Sequence, residues 1–100
     1  MTVRFHRDAS AEVDAAALRY ETEQSGLGQA FMVEISKAVT TIEESPTSWP
    51  IVRKGRRIRR FLLARFPFAI LFQADGAGIV ILAIAHTRRR PFYWRARRLP

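Results

Sequence analysis

The sequence predicts an α+β fold in the order β-α-α-β-β-β: an antiparallel sheet with a helical hairpin packed on one face. Three observations carry this. Two segments of helical period are divided only by Ser25-Gly26-Leu27-Gly28. Two nearly uninterrupted apolar runs, residues 66–74 and 78–85, meet at the turn signal Asp75-Gly76. The chain has 100 residues, of which 48% are hydrophobic, enough for one core and no second. Residues 1–100 are therefore read as a single domain.

In chain order, Val3 and Phe5 alternate with Arg4 and His6, as in a half-buried strand. Asp8 or Ser10 can cap the helix that follows, because a side-chain oxygen there accepts from an orphaned amide. Ala9, Val13, Ala16 or Ala17, and Tyr20 recur at helical spacing. A second helix begins at Leu27 or Phe31 and runs through Ile35, Ala38, Val39 and Ile42. It stops at Ser45-Pro46, since the residue before proline is pushed out of the α region. Residues 46–52 read as loop. Residues 57–63 form a strand of poor alternation, and the two apolar runs then pair as a hairpin. The expected core is Val3, Phe5, Val13, Tyr20, Phe31, Ile35, Ile42, Ile70, Phe72, Val80 and Leu82.

Composition narrows the function classes. With no cysteine, disulfides, thiolate nucleophiles and cysteine metal sites are excluded. Residues 66–87 hold one charge, Asp75, and are long enough to cross a bilayer. The central Asp75-Gly76-Ala77-Gly78 turn argues instead for two strands. No membrane association is expected. No secretory signal is readable in residues 1–8, and a cytoplasmic location is the expectation.

Charge is segregated. Residues 1–50 carry four basic side chains against eight carboxylates, and residues 51–100 carry thirteen against Asp75 alone. The halves therefore have net charges of −4 and +12, summing to +8. Only Lys37 and Lys54 are lysines. Arginine grips phosphates and carboxylates with a planar fork, so this pattern points to an anionic partner on one side.

Four pieces resemble a known family. They are Leu27-Gly28-x-x-Phe31-x-x-Glu34; Ser45-Pro46 with Trp49-Pro50; Phe66-Pro67-Phe68-Ala69-Ile70-Leu71-Phe72; and Ile81-Leu82-Ala83-Ile84-Ala85-His86-x-Arg88-Arg89-x-Pro91-x-Tyr93-Trp94. Together they resemble the RelE/ParE superfamily of type II toxin–antitoxin toxins. The last is most similar to the ParE, or plasmid-stabilisation, branch. The resemblance implies a toxin held in a hetero-oligomer by a cognate ParD-like antitoxin with an acidic, amphipathic helical segment. ParE-like members bind DNA gyrase and trap it on cleaved DNA; RelE-like members cut mRNA within the ribosome. No cofactor and no metal is implied.

The residues favour binding over chemistry. His6 and His86 are far apart in sequence and neither has an acidic cluster beside it, which makes a metal site improbable. No nucleophile-elbow motif or phosphate loop is present. An RNA-cleaving site would need a base, a cation and an acid, which His86, Arg89 and Tyr93 could supply. The nucleases of this fold resemble one another in two arginines around the third strand. Here those positions are Ala64 and Ala69, with Arg65 displaced by one. Phe68 and Phe72 stand where relatives commonly carry tyrosine.

The expected target contacts are Arg59, Arg60, Arg65, Arg88 and Arg89. Antitoxin contacts are sought among Arg57, Ile58, Phe61, Tyr93 and Trp94, on a sheet face left bare by the helices. Each has a plainer reading. On that reading His86 orders the turn that it opens, Arg88-Arg89-Arg90 is a solvated loop, and Trp94 folds back onto the sheet. A nucleic-acid-binding module is the runner-up of another class, since aromatics interleave the arginines.

Overall fold

The computed structural model describes residues 2–99. β1 (Thr2–Phe5) leads into α1 (Arg7–Glu23) and α2 (Leu27–Glu44). β2 (Ile51–Arg53), a 3-10 turn (Lys54–Arg56), β3 (Ile58–Leu62), β4 (Phe68–Asp75) and β5 (Gly78–His86) follow. The strands form one sheet in the order β1-β5-β4-β3-β2. The expected architecture is present, with two additions.

First, β1 lies parallel to β5, with Thr2 opposite Gly78 and Phe5 opposite Ile81, so the sheet is mixed. Alternation in a strand specifies a buried face and says nothing about the direction of its neighbour. Gly78 has φ +146°, and a Cβ there would collide with the Thr2 carbonyl. Second, Ile51–Arg53, which overlaps the end of the expected loop, adds a strand at the sheet edge. Its three residues pair irregularly with β3 and are too few to show a period.

α1 begins earlier than Asp8 or Ser10 would allow. The His6 imidazole is the cap: Nδ1 accepts from the Asp8 amide at 3.0 Å. The His6 amide donates to Ile81 O at 2.8 Å, which ties the helix start to β5. Against the sheet, Val13, Phe31, Ile35, Ile42, Ile70 and Phe72 are buried as expected, with Val3, Phe5 and Tyr20 packed at the margin. Tyr20, Phe31, Phe66 and Phe68 form an aromatic cluster with centroids 5.0–6.3 Å apart. Each such pair adds about 0.5–1.5 kcal/mol beyond its buried area.

Val80 departs from the expected core, and Leu82, though fully buried, lies on the side away from the helices. A bulge shifts the register between Leu71↔Ala83 and Phe72↔Ile81, leaving Leu82 without a partner. The extra residue reverses the facing of β5. Ile79, Ile81 and Ile84 thus all face the helices, while Leu82 joins a second cluster on the other side. Val80 is only half-buried.

That second side is not bare. The tail folds back over it, and Trp94 is buried with Ile58, Ala69, Leu71, Leu82, Ala83 and Ala85. The expectation of an open sheet face is corrected by these contacts. Among the described residues, no helix is long and apolar enough to cross a membrane.

The hairpin turn is held by one side chain. Glu21 accepts from the Gly26 amide at 2.8 Å and from the Gly28 amide at 2.9 Å. These bonds, chiefly the one from Gly26, hold its carboxyl below the usual range. Any stability from Glu21 is therefore present above the ordinary carboxylate pKa and lost as pH falls through the lowered value. Acid titration of the melting temperature should show a Glu21→Gln variant converging on the parent at low pH.

A Cβ on Gly28 would sit 2.5 Å from Ala17 O and 2.9 Å from Glu21 Cβ. Alanine normally stabilises a helix by ~1 kcal/mol over glycine. Here overpacking should win, and Gly28→Ala is expected to lower the urea-unfolding free energy by ~1–3 kcal/mol.

Candidate functional site

β1 ends at Phe5, opposite Ile81, but β5 continues to His86. Beyond Ile81 one edge of β5 has no strand beside it, and its polar groups need other partners. Glu12 from α1 and Arg97 from the tail fill the gap. Ile84 N donates to Glu12 Oε1 at 3.0 Å, and Arg97 Nη1 donates to Leu82 O at 3.2 Å. The two side chains meet in a fork: Nη1 to Oε1 at 2.8 Å and Nη2 to Oε2 at 2.9 Å.

The Tyr93 hydroxyl joins this cluster, donating to Glu12 Oε2 at 2.6 Å. Burial first, and then the bond to Glu12, push the phenol above its ordinary range. For Arg97, burial alone would lower the pKa, but the hydrogen bond and charge of Glu12 outweigh it and raise it. Arg89 completes the group, stacked over the Tyr93 ring at 3.9 Å with Nη1 3.7 Å from Glu12 Oε2.

A second clasp lies across the tail. Arg56 donates to Arg95 O at 2.9 Å and to Arg97 O at 2.7 Å. Between the clasps the tail walls a cleft of about 220 Å³ at the ends of β3, β4 and β5. Arg60, His86, Arg89, Arg90, Tyr93 and Trp94 are among its lining residues.

Of the expected site residues, Arg60, Arg89, His86 and Tyr93 are thus brought together, and Trp94 helps to build the wall. Arg88 is exposed on the same loop. Arg65 is exposed elsewhere, stacked 5.1 Å over Phe66. Arg57 is exposed in a left-handed turn before β3, with φ 53°.

Four of the expected contact residues are engaged within the fold. Arg59 is buried, and its Nη1 donates to Thr47 O at 3.0 Å and Trp49 O at 2.7 Å, so it anchors the 46–50 loop rather than facing outward. Ile58 is fully buried beneath the tail, and Trp94 is 4% exposed, so a partner reaches neither while the tail is docked. Phe61 packs edge-on against Trp49 at 4.7 Å.

The chemistry of the cleft is constrained. His86 Nδ1 accepts from the Arg88 amide at 3.0 Å, which orders the turn, and its ring lies edge-on to Phe68 at 5.1 Å. The Tyr93 proton is directed to Glu12. A phenol held above its usual range is a poor acid near neutrality. What remains is cationic: Arg60, Arg89 and Arg90 in the cleft, with Arg88 exposed on the adjoining loop, suit anionic groups. Among the described residues, no cluster of three His, Asp or Glu could hold a metal ion.

Sequence reading missed Glu12, Arg56 and Arg97. Glu12 sits among other carboxylates on a polar helix, and Arg97 sits in a basic run. Neither carries a local signal of its partner.

Residues 3–91 match the family model described as the ParE toxin of the type II toxin–antitoxin system parDE. The chain belongs to the ParE toxin family. Among solved structures, a chain of the chromosomal ParDE toxin–antitoxin system of P. aeruginosa is similar in fold, with a TM-score of 0.74 and 24% identity. The likeness covers 86% of this chain and 95% of that one. No curated protein matches in sequence. In this chain the tail walls the basic cleft, and Glu12 is the residue that docks the tail.

Removing one partner of a buried pair strands the other, at a cost of ~3–5 kcal/mol. Glu12 and Arg97 are each 15% exposed, so the low end applies. Glu12→Ala should lower unfolding free energy by ~3 kcal/mol and expose the tail to proteolysis. Tyr93 gives an alkaline test. Its contribution is complete below about pH 10 and is lost as pH rises beyond that. Tyrosinate absorbance should appear later in the folded protein than in urea, and Tyr93→Phe should flatten the alkaline arm of the stability profile.

Proposed function

We propose that this ParE-family toxin inhibits DNA gyrase by binding and trapping its cleavage complex. A ParD-type antitoxin with an acidic, amphipathic helical segment would neutralise it. The observation that carries a binding mode is the Tyr93–Glu12 hydrogen bond. It commits to the fold the one hydroxyl that an RNA-cleaving site here would use as acid. His86, through Nδ1, is likewise engaged in the turn. The same cleft keeps exposed arginines, which supports charge-assisted contacts with acidic side chains or DNA phosphates, each worth ~1.5–3 kcal/mol.

The ParD-type partner is supported by the family and by the similar P. aeruginosa chain, which comes from a ParDE system. An acidic segment complements the +12 half of the chain. Arg57, Arg60 and Arg88 are exposed and available for such contacts. Ile58 and Trp94 are buried beneath the docked tail, so this reading does not draw on them.

The deciding experiment incubates purified toxin with gyrase and supercoiled plasmid, and in parallel with translating ribosomes. Accumulation of cleaved DNA on denaturation, with mRNA intact, is expected. Cleaved mRNA with gyrase unaffected would establish the RelE-like reading instead. The double variant Arg60→Ala/Arg88→Ala should lose at least tenfold in potency. Its melting temperature should stay close to that of the parent, because exposed arginines contribute little to stability.

A further inference from the structure

On the side of the tail away from Glu12, the 3-10 turn and the tail form a second basic concavity of about 510 Å³. Arg53, Lys54, Arg56, Arg95 and Arg98 line it, with Val52 and Gly55. Among the described residues, no carboxylate lies within ion-pair distance of any of these cations. Arg56 is spent on the tail carbonyls, and burial, then Arg98 and Arg53, hold its guanidinium below the ordinary range. Charge is thus concentrated here without internal compensation, an arrangement that costs stability.

Backbone strain gathers at the same place. Arg57 (φ 53°) and Phe92 (φ 60°) are the two non-glycine residues with positive φ among the described residues. For a bulky aromatic residue this conformation is an outlier. The strained Phe92 stands in the wall of the Arg60–His86 cleft, 39% exposed, and reaches the second concavity through Arg53, whose guanidinium is 5.9 Å from its ring. Edge-on support comes from Trp94 at 5.6 Å. An apolar ring held half in water at the rim of uncompensated arginines has the makings of a stacking platform.

We propose that this face binds single-stranded nucleic acid: Arg53, Lys54 and Arg98 take successive phosphates, and one unstacked base lies on Phe92. The surface adjoins the Arg60–His86 cleft, which shares Val52 with it and has Phe92 in its wall, and the proposal does not depend on gyrase as the target. An acidic protein segment would use the cations but has no need of the strained ring. A duplex would use the phosphates but presents no free base face. Nothing here reads the sugar, so DNA and RNA strands should bind alike.

The test is fluorescence anisotropy of the full-length toxin with labelled twelve-nucleotide oligothymidylate, in the absence of any other protein. Phe92→Ala should weaken binding about tenfold while Phe92→Tyr retains it. Arg53→Ala/Lys54→Ala/Arg98→Ala should also lower the slope of log affinity against log salt by about 2. Arg88→Ala, exposed on the loop after β5, should leave both quantities unchanged. Oligouridylate should match oligothymidylate. Melting curves of each variant separate lost binding from lost folding. Tighter binding of duplex than of single strand, equal binding of an oligoglutamate of the same charge, or indifference to Phe92→Ala in a folded variant would overturn the proposal.

Discussion

The difference in length between two neighbouring strands sets the rest of the structure. β1 supplies four residues beside the nine of β5, so the upper edge of β5 is left without a strand partner. A buried amide or carbonyl without a partner costs ~1–3 kcal/mol. Glu12 satisfies the Ile84 amide and Arg97 the Leu82 carbonyl, and the two then neutralise each other through a fork. The tail is therefore docked by an edge repair. Once it is docked, Tyr93 and Arg89 fall into place around the same carboxylate, and the basic cleft acquires its wall.

The bulge at Leu82 belongs to the same arrangement. Without it, strict alternation would send Ile84 to the face opposite Ile79 and Ile81. With it, the helical side gains Ile84, and the opposite side receives Leu82, Ala83 and Ala85. Two alanines among three residues make that second side shallow. A shallow apolar face accepts one large ring, and Trp94 occupies it. A ParE fold with a bare sheet would expose this patch, whereas the folded tail converts it into a second small core.

What could be read in the sequence follows from how local each signal is. The helical hairpin, the β4–β5 pair and most of the core are set by periods of 3.6 and 2 and by turn residues, so they were legible. β2 has three residues and no period. The α1 cap was sought in Asp8 or Ser10 because those side chains usually serve, while His6 does the work through Nδ1. Val80 was misplaced because the bulge two residues later leaves no mark in composition. The cleft residues His86, Arg89 and Tyr93 were found through the family-like ending, and Arg60 through its charge. Glu12 was not, because its partners lie 72, 81 and 85 residues away.

The arginine excess, read from sequence as a single signal of an anionic partner, divides into two populations. Arg56, Arg59 and Arg97 are structural, and each uses the guanidinium to hold two backbone or carboxylate acceptors at once. An ammonium on a flexible stem is a strongly hydrated point charge and lacks that rigid planar fork, so lysine could not replace them at equal geometry. These three clasp the loop and the tail. The remaining arginines gather in two places: Arg60, Arg89 and Arg90 around one concavity, Arg53, Arg95 and Arg98 around the other. The +12 half of the chain is thus partly its own scaffold. Only the arginines that the scaffold leaves uncommitted are free to recognise anything else.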